Sequence, residues 1–323
     1  AQIAGASGEA LPWTQASLSR RGHAIEARVY AEDVAKGYLP QAGPLLLYRE
    51  PSMPGIRVDS GVAEGGEIGV HYDPMIAKLV ATADTREAAR RRAVEALRDY
   101  PILGIRTNVA FLIEVLEHPR FVAGDIDTRW LDVEGPALRA RLVDAATPPE
   151  AVAVANAART ATPGTTADTA AAHDPWNTLR GPHPKGVEAD LQVRLNVEPL
   201  GNGRWRVVSE GANRIAYAAV DRGRTWVFIA GRTYVIEDQD RDGSSRVRPT
   251  DDHLALSAPM PATVLAVKVA PGQEVEEGDL LITLEAMKME LPIKAPRAGR
   301  IKSIGCREGE MVQAGVPLLE FER

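Results

Sequence analysis

The spacing of apolar residues changes several times along this 323-residue chain. Between residues 23 and 80, short alternating runs (HAIEARVYAED, GPLLLY, GIRVDSGV) are divided by glycine and proline, which predicts strands. From Asp84 the period lengthens. Ala89, Ala93, Leu97 and Tyr100 recur at helical spacing, Asp84 or Thr85 is placed to cap, Glu87 puts negative charge in the first turn, and Pro101 closes the segment. A second helix is predicted from about Asn108 to Glu117, with Val109, Leu112, Ile113 and Leu116 on one face. Strands followed by two helices predict an α+β unit ending near Leu131 to Gly135.

Beyond that point alanine, threonine and proline dominate through residue 173, with one amphipathic helix predicted over Pro149–Arg159 and a polar linker after it. After Trp176 the pattern alternates: Leu191, Val193, Leu195 and Val197, then Trp205 and Val207, Ile215 and Tyr217, and Trp226, Phe228, Tyr234 and Ile236. GNG at 201–203 and DRGR at 221–224 are turns, so a small antiparallel sheet or barrel is expected. A second polar stretch, DQDRDGSSRVRPTDD, leads into the last segment.

There the chain repeats itself. Ala258-Pro259 matches Ala295-Pro296, and at the same offset of 37 Val264 matches Ile301, Val267 matches Ile304, Gly272 matches Gly309, Val275 matches Val312, Gly278 matches Gly315 and Leu281 matches Leu318. Neither half can bury its apolar face alone, so the two are expected to pack about a pseudo-two-fold axis. Lys288 then falls at the tip of the hairpin that joins the halves, where a flexible amine is accessible to a modifying enzyme. The flanking Met287 and Met289 are expected to be exposed as a recognition surface.

Composition narrows the function. The apolar fraction of 45% supports packed cores, and a net charge of −6 argues against nucleic acid or an anionic membrane as partner. The lone Cys306 and six scattered histidines leave no disulfide and no metal-ligand spacing. Arg86, Arg90, Arg91 and Arg92 cluster beside acidic residues and read as a solvated helix face instead of a nucleic-acid grip.

Residues 256–323 resemble the biotin carboxyl carrier domain, whose Ala-Met-Lys-Met signature stands at Ala286–Met289. The resemblance implies biotin held covalently on Lys288, with Ala286, Met287 and Met289 as its recognition context. The related lipoyl domain shares the fold and the tip lysine, but usually carries Asp before it and no paired methionines. Residues 23–131 resemble the C-terminal part of biotin carboxylase through GHAIEARVYAED, YLPQAGPL, GIRVDSGV, HYDPMIAKL, GIRTNVAFL and FVAGDIDTRWL, in that order.

By that resemblance Arg57 faces the biotin ureido ring and stabilises its enolate, a task suited to a guanidinium that does not titrate. Asp127, Thr128 and Arg129 would edge the adenine pocket. ATP, magnesium and bicarbonate belong to the ATP-grasp portion of the family, which has no counterpart here. The chain is therefore expected to be the C-terminal half of a longer subunit and inactive alone.

The whole implies three parts: 1–135 from biotin carboxylase (α+β), 136–255 as linker, helix and small antiparallel β-barrel, and 256–323 as a flattened β-barrel or sandwich with a two-fold repeat. The middle part would dock a carboxyltransferase (beta) subunit in a hetero-oligomer, with Trp176, Trp205 and Trp226 as interface anchors or as buried barrel residues. A biotin protein ligase would load the carrier, and the partner would supply the acyl-CoA. HYDPMIAKL, with His71, resembles methylcrotonyl-CoA carboxylase more than the propionyl-CoA type; geranyl-CoA carboxylase stays open. A carboxylase of this kind would be cytoplasmic in a bacterium and in the mitochondrial matrix in a eukaryote.

Overall fold

Alternation puts Ile25, Ala27 and Val29 on one face of the first long strand, and the computed structural model turns that face inward. The structure describes residues 1–161, 195–209, 211–237, 255–287 and 289–322. After a short exposed helix α1 (Gln2–Ala6), the front domain runs β1 (His23–Tyr30), β2 (Glu32–Asp33), β3 (Leu39–Pro40), β4 (Gly43–Pro44), β5 (Leu47–Tyr48), β6 (Ile56–Ser60), β7 (Glu67–Ile68), β8 (Met75–Ala83), α2 (Arg86–Arg98), β9 (Ile102–Leu103) and α3 (Val109–Glu117). Strand β8 lies between β1 and β6, antiparallel to both, with Ala27, Leu79 and Val58 in one row. Helix α2 packs on β1 and β8.

That helix forms where the sequence predicts it. Thr85 Oγ1 accepts the Ala88 N–H at 3.2 Å, and Ala89, Ala93 and Leu97 are fully buried. The second helix is held by Asn108, whose side chain was not expected to bond across the domain. Its Oδ1 accepts from the Tyr30 N–H at 2.9 Å and its Nδ2 donates to the Arg28 carbonyl at 3.1 Å. A buried Asn thereby continues the edge of β1 and fixes the start of α3.

Helices α4 (Pro119–Ala123), α5 (Trp130–Val143) and α6 (Pro149–Thr160) follow. Helix α5 runs straight through position 135 with Pro136 inside it, so the change in composition there is not a break in structure. Helix α6 matches its predicted span to within one residue and lies over a five-stranded antiparallel meander. The meander comprises β10 (Asn196–Gly201), β11 (Arg204–Ser209), β12 (Ala212–Asp221), β13 (Arg224–Ile229) and β14 (Arg232–Glu237). It is an open, curled half-barrel. Asn202-Gly203 and Arg222-Gly223 turn it with positive φ at both positions, as two-residue hairpins require. Leu191, Val193 and Trp176 lie outside the described residues.

Strand β13 is buried on both sides. Val227 and Ile229 face α6, while Trp226 and Phe228 join the core of the front domain. Trp205 is also buried, under α6.

The last domain has β15 (Ala255–Ser257), β16 (Ala262–Val267), β17 (Glu274–Val275), β18 (Leu280–Ala286), β19 (Met289–Lys294), β20 (Gly299–Ile304), β21 (Met311–Val312) and β22 (Pro317–Phe321). They form two four-stranded sheets, β15-β22-β20-β17 and β19-β18-β16-β21. Shifting the chain by the repeat maps each sheet onto the other. Hydrogen bonds repeat as well: Gly278 N–H to the Ala295 carbonyl and Gly315 N–H to the Ala258 carbonyl are both 2.8 Å. Gly272 to Ile301 and Gly309 to Val264 make a second matched pair, at 2.7 and 2.8 Å. The glycines sit at φ values of +78° to +92°, which explains why both halves carry them.

Candidate functional site

Strands β18 and β19 pair without a break from Glu285↔Glu290 to Ala286↔Met289, so the hairpin closes on two residues. The first, Met287, has φ +51°, the left-handed geometry of such a turn. Neither position is Asn or Gly, and the turn joins two neighbouring strands of one sheet. Lys288 lies outside the described residues.

The two methionines differ. Met289 is 38% exposed, as expected of a recognition residue. Met287 is not on the surface: it is 2% exposed, and Ala286 is buried too. The expectation of a paired methionine surface is corrected here, because the hairpin end meets the front domain. The Met287 N–H donates to the Val70 carbonyl at 3.1 Å.

Arg57 stands on β6, opposite Val80, on the face of the front sheet that points away from α2. It is 69% exposed and grips Asp59 twice, Nε to Oδ1 at 3.1 Å and Nη2 to Oδ2 at 3.2 Å. Lys78 Nζ is 3.7 Å from the same carboxylate. On β1, the same face carries Glu26 and Arg28, paired at 3.1 Å, and the Glu26 carboxylate raises the Arg28 pKa. The result is a fixed, solvent-facing row of guanidinium and ammonium groups with carboxylates between them. An anion arriving at Arg57 would share the guanidinium with Asp59 and meet it already oriented.

Asp127, Thr128 and Arg129 are exposed and form the entry to α5. Asp127 Oδ1 accepts the Arg129 N–H at 2.9 Å and its carbonyl accepts from Trp130 at 3.2 Å. Helix α5 packs on α3 and on residues Val34–Lys36, and makes no extended contact with β6. The structure gives these three residues a helix-entry geometry and does not join them to Arg57.

Other clusters resolve into structure. Arg86 donates to the Val122 and Phe121 carbonyls, Arg90 and Arg91 hold Glu87, and Arg92 bonds the Thr82 carbonyl. Those bonds hold the Glu87 carboxyl down at about 2. Among the described residues no His/Cys/Asp/Glu cluster could hold a metal, and no helix is long and apolar enough to cross a membrane. A cleft of about 300 Å³ between the front domain and β14 is lined by Glu32, Asp33, Arg106, Arg232 and Tyr234. Burial, then the nearby Asp73 carboxylate, push Glu32 up to about 7. Nothing in the local sequence marked Glu32, because its neighbours come from distant segments.

Comparison with known proteins identifies both ends of this arrangement. The model of the biotin carboxylase C-terminal domain matches residues 26–133, and that of the biotin-requiring enzyme domain matches residues 255–321. Two curated relatives align along nearly the whole chain. Methylcrotonoyl-CoA carboxylase subunit alpha of Rattus norvegicus is 30% identical over 99% of this chain and 50% of its own length. The propionyl-CoA carboxylase alpha chain of Homo sapiens is 32% identical over 98% of this chain and 48% of its own. Among solved structures, the biotin carboxylase domain of Hydrogenobacter thermophilus 2-oxoglutarate carboxylase is 37% identical over 45% of this chain and 31% of that one, with a TM-score of 0.42.

The front of the chain is thus a biotin carboxylase C-terminal domain and the back a biotinyl domain, which indicates covalent biotin as cofactor. The chain is similar along nearly its whole length to acyl-CoA carboxylase alpha subunits, and it spans about half the length of the curated relatives it matches.

Proposed function

We propose that this chain is the carrier half of an acyl-CoA carboxylase alpha subunit, biotinylated on Lys288. The observation that carries the reading is the two-sheet repeat whose joining hairpin closes at Ala286↔Met289, around the Ala-Met-Lys-Met motif. A two-residue connection keeps an attached group clear of both sheets. Bound biotin supplies a ureido nitrogen that can carry a carboxyl group between sites. Arg57, held by Asp59, would stabilise negative charge developing on the ureido oxygen without exchanging a proton. The covalent tether keeps the cofactor at high local concentration at each station.

The rest follows from the same reading. ATP, magnesium and bicarbonate would act in the complete subunit, with Asp127–Arg129 at the nucleotide edge, and these 323 residues alone turn over no ATP. The half-barrel with α6 would dock a carboxyltransferase (beta) subunit in a hetero-oligomer. Its buried Trp205 and Trp226 make strands, not anchors, the contact surface. A biotin protein ligase would load the carrier. The acyl-CoA favoured by the HYDPMIAKL segment is 3-methylcrotonyl-CoA; the equally similar propionyl-CoA relatives support the second reading.

The complete subunit, reconstituted with its carboxyltransferase and assayed with 3-methylcrotonyl-CoA, propionyl-CoA and geranyl-CoA, tests this. Faster turnover of the first by at least tenfold is expected. A preference for propionyl-CoA would replace the substrate assignment, and turnover by a Lys288→Ala subunit would refute the carrier role.

A further inference from the structure

Arg57 stands on an edge strand. Among the described residues β6 pairs with β8 alone, so only one side of it is held by a ladder. A short strand paired on one side frays from its ends, and in β6 Arg57 is one residue from the first end and Asp59 one residue from the other. The first end is fixed by main chain and hydroxyl: the Gly55 carbonyl accepts the Thr82 N–H at 2.8 Å and Thr82 Oγ1 at 3.2 Å.

The far end is fixed by a run of side chains. Ser60 Oγ donates to Glu50 Oε1, and the same oxygen accepts the Tyr48 hydroxyl at 3.2 Å. A carboxylate only accepts, so the single Tyr48 proton is used there, and Tyr100 donates the 2.6 Å bond that joins the two phenol oxygens. Burial pushes both hydroxyls above the ordinary phenol value, which keeps them protonated. Tyr100 is fully buried, so the run begins at a ring fixed in the core and ends at the tip of the strand. Tyr48 is its hub. The Tyr48 N–H donates to Glu64 Oε2 at 3.0 Å, and Arg49 pairs with that carboxylate. Glu50 precedes β6 and Glu64 follows it, so one residue holds the chain on both sides of the strand.

We infer that Tyr48, Glu50 and Ser60 are positioning residues for Arg57, a clamp that sets the end of β6 so that Asp59 presents the guanidinium in its reactive orientation. Ser60 follows Asp59 directly, and Asp59 grips Arg57 through both carboxylate oxygens, at 3.1 and 3.2 Å. Ser60 shares the face of Ile56 and Val58, which pack on the core, so clamp and guanidinium act from opposite sides of one strand. A slip of the strand end carries the Asp59 carboxylate with it, and the guanidinium follows. A misplacement of about 1 Å is enough to cost a large factor in rate. The inference rests on the reading that puts Arg57 at the biotin ring, and adds to it the device that holds Arg57 there.

Steady-state biotin carboxylation by the complete subunit tests the clamp. Ser60→Ala and Glu50→Ala should each lower kcat by about fivefold or more and leave KM for ATP unchanged. Ser60→Thr keeps the donor and Glu50→Gln keeps the acceptor, so both should stay within about twofold of wild type. Arg57→Ala should lower kcat further, and adding Ser60→Ala to it should cost nothing more, because the clamp acts through the guanidinium alone. Tyr48→Phe, which keeps the ring and breaks the run at its hub, should reproduce the Ser60→Ala effect if that variant folds poorly. Equal proportional losses from Ser60→Ala with and without Arg57 would show a general structural role and overturn the inference. So would wild-type kcat in Ser60→Ala and Tyr48→Phe while Arg57→Ala is impaired. Wild-type kcat in Arg57→Ala itself would refute the placement of Arg57 at the biotin ring, and the clamp's purpose with it.

Discussion

Two all-β units hang on the front domain, and they are attached in opposite ways. The half-barrel is built into it. Trp226 and Phe228 enter the front core, Arg232 pairs with Glu114 at 2.7 Å, and Tyr217 reaches Asp99. The barrel turns approach so closely that a Cβ on Gly231 would strike Ile113, and one on Gly203 would come within 2.8 Å of Leu47. The carrier has its own two-sheet core and meets the front domain at the end of one hairpin. One unit is thus built into the front domain, and the other touches it through a small contact.

That contrast can be broken by choosing substitutions on either side of it. Leu281 and Leu318 are repeat mates with no exposure, so Leu281→Ala should cost about 3 kcal/mol and lower the carrier's melting alone. Calorimetry on the intact chain checks this; a matching fall in the front-domain transition would show one cooperative body. Gly231→Val, at φ +86° and against Ile113, should destabilise the front domain and barrel together by about 2 kcal/mol and spare the carrier.

A smaller effect sharpens the seam itself. Glu32 faces the barrel cleft with its carboxyl raised from 4.5 to about 7, so the native state is favoured while the acid is protonated. That contribution is full below about pH 4.5 and is lost as pH rises through about 7. Glu32→Gln should therefore raise the melting temperature of the front transition by a degree or two at pH 8 and leave it unchanged at pH 4.5. Equal shifts at both pH values would remove Glu32 from the account.

Local physics was legible in the sequence, and contacts between distant segments were not. The Thr85 cap, the Ala89–Ala93–Leu97 stripe and the Pro149 helix each follow from neighbours within a few turns. The repeat was legible because both halves need glycine at the same left-handed turns. Met287 was misread because its partner, Val70, lies in another domain and acts through a carbonyl that every residue possesses. Asn108 was read as the start of the helix, which it is, but the bonds its side chain makes to β1 were not legible. The composition shift after 135 does not coincide with a helix end, because α5 continues through Gly135 and Pro136 in spite of their poor helix propensity. Arg57 was visible only through its motif; its hold on Asp59 came from the strand register, which alternation alone does not number.

The central claim is that Lys288 carries biotin. Intact mass of the full chain, co-expressed with an active biotin protein ligase, addresses it directly. The account predicts a single biotin increment in the wild type and none in Lys288→Ala. No increment in the wild type, or one that survives the substitution, would contradict it, and a lipoyl increment would assign the hairpin to the sibling carrier class.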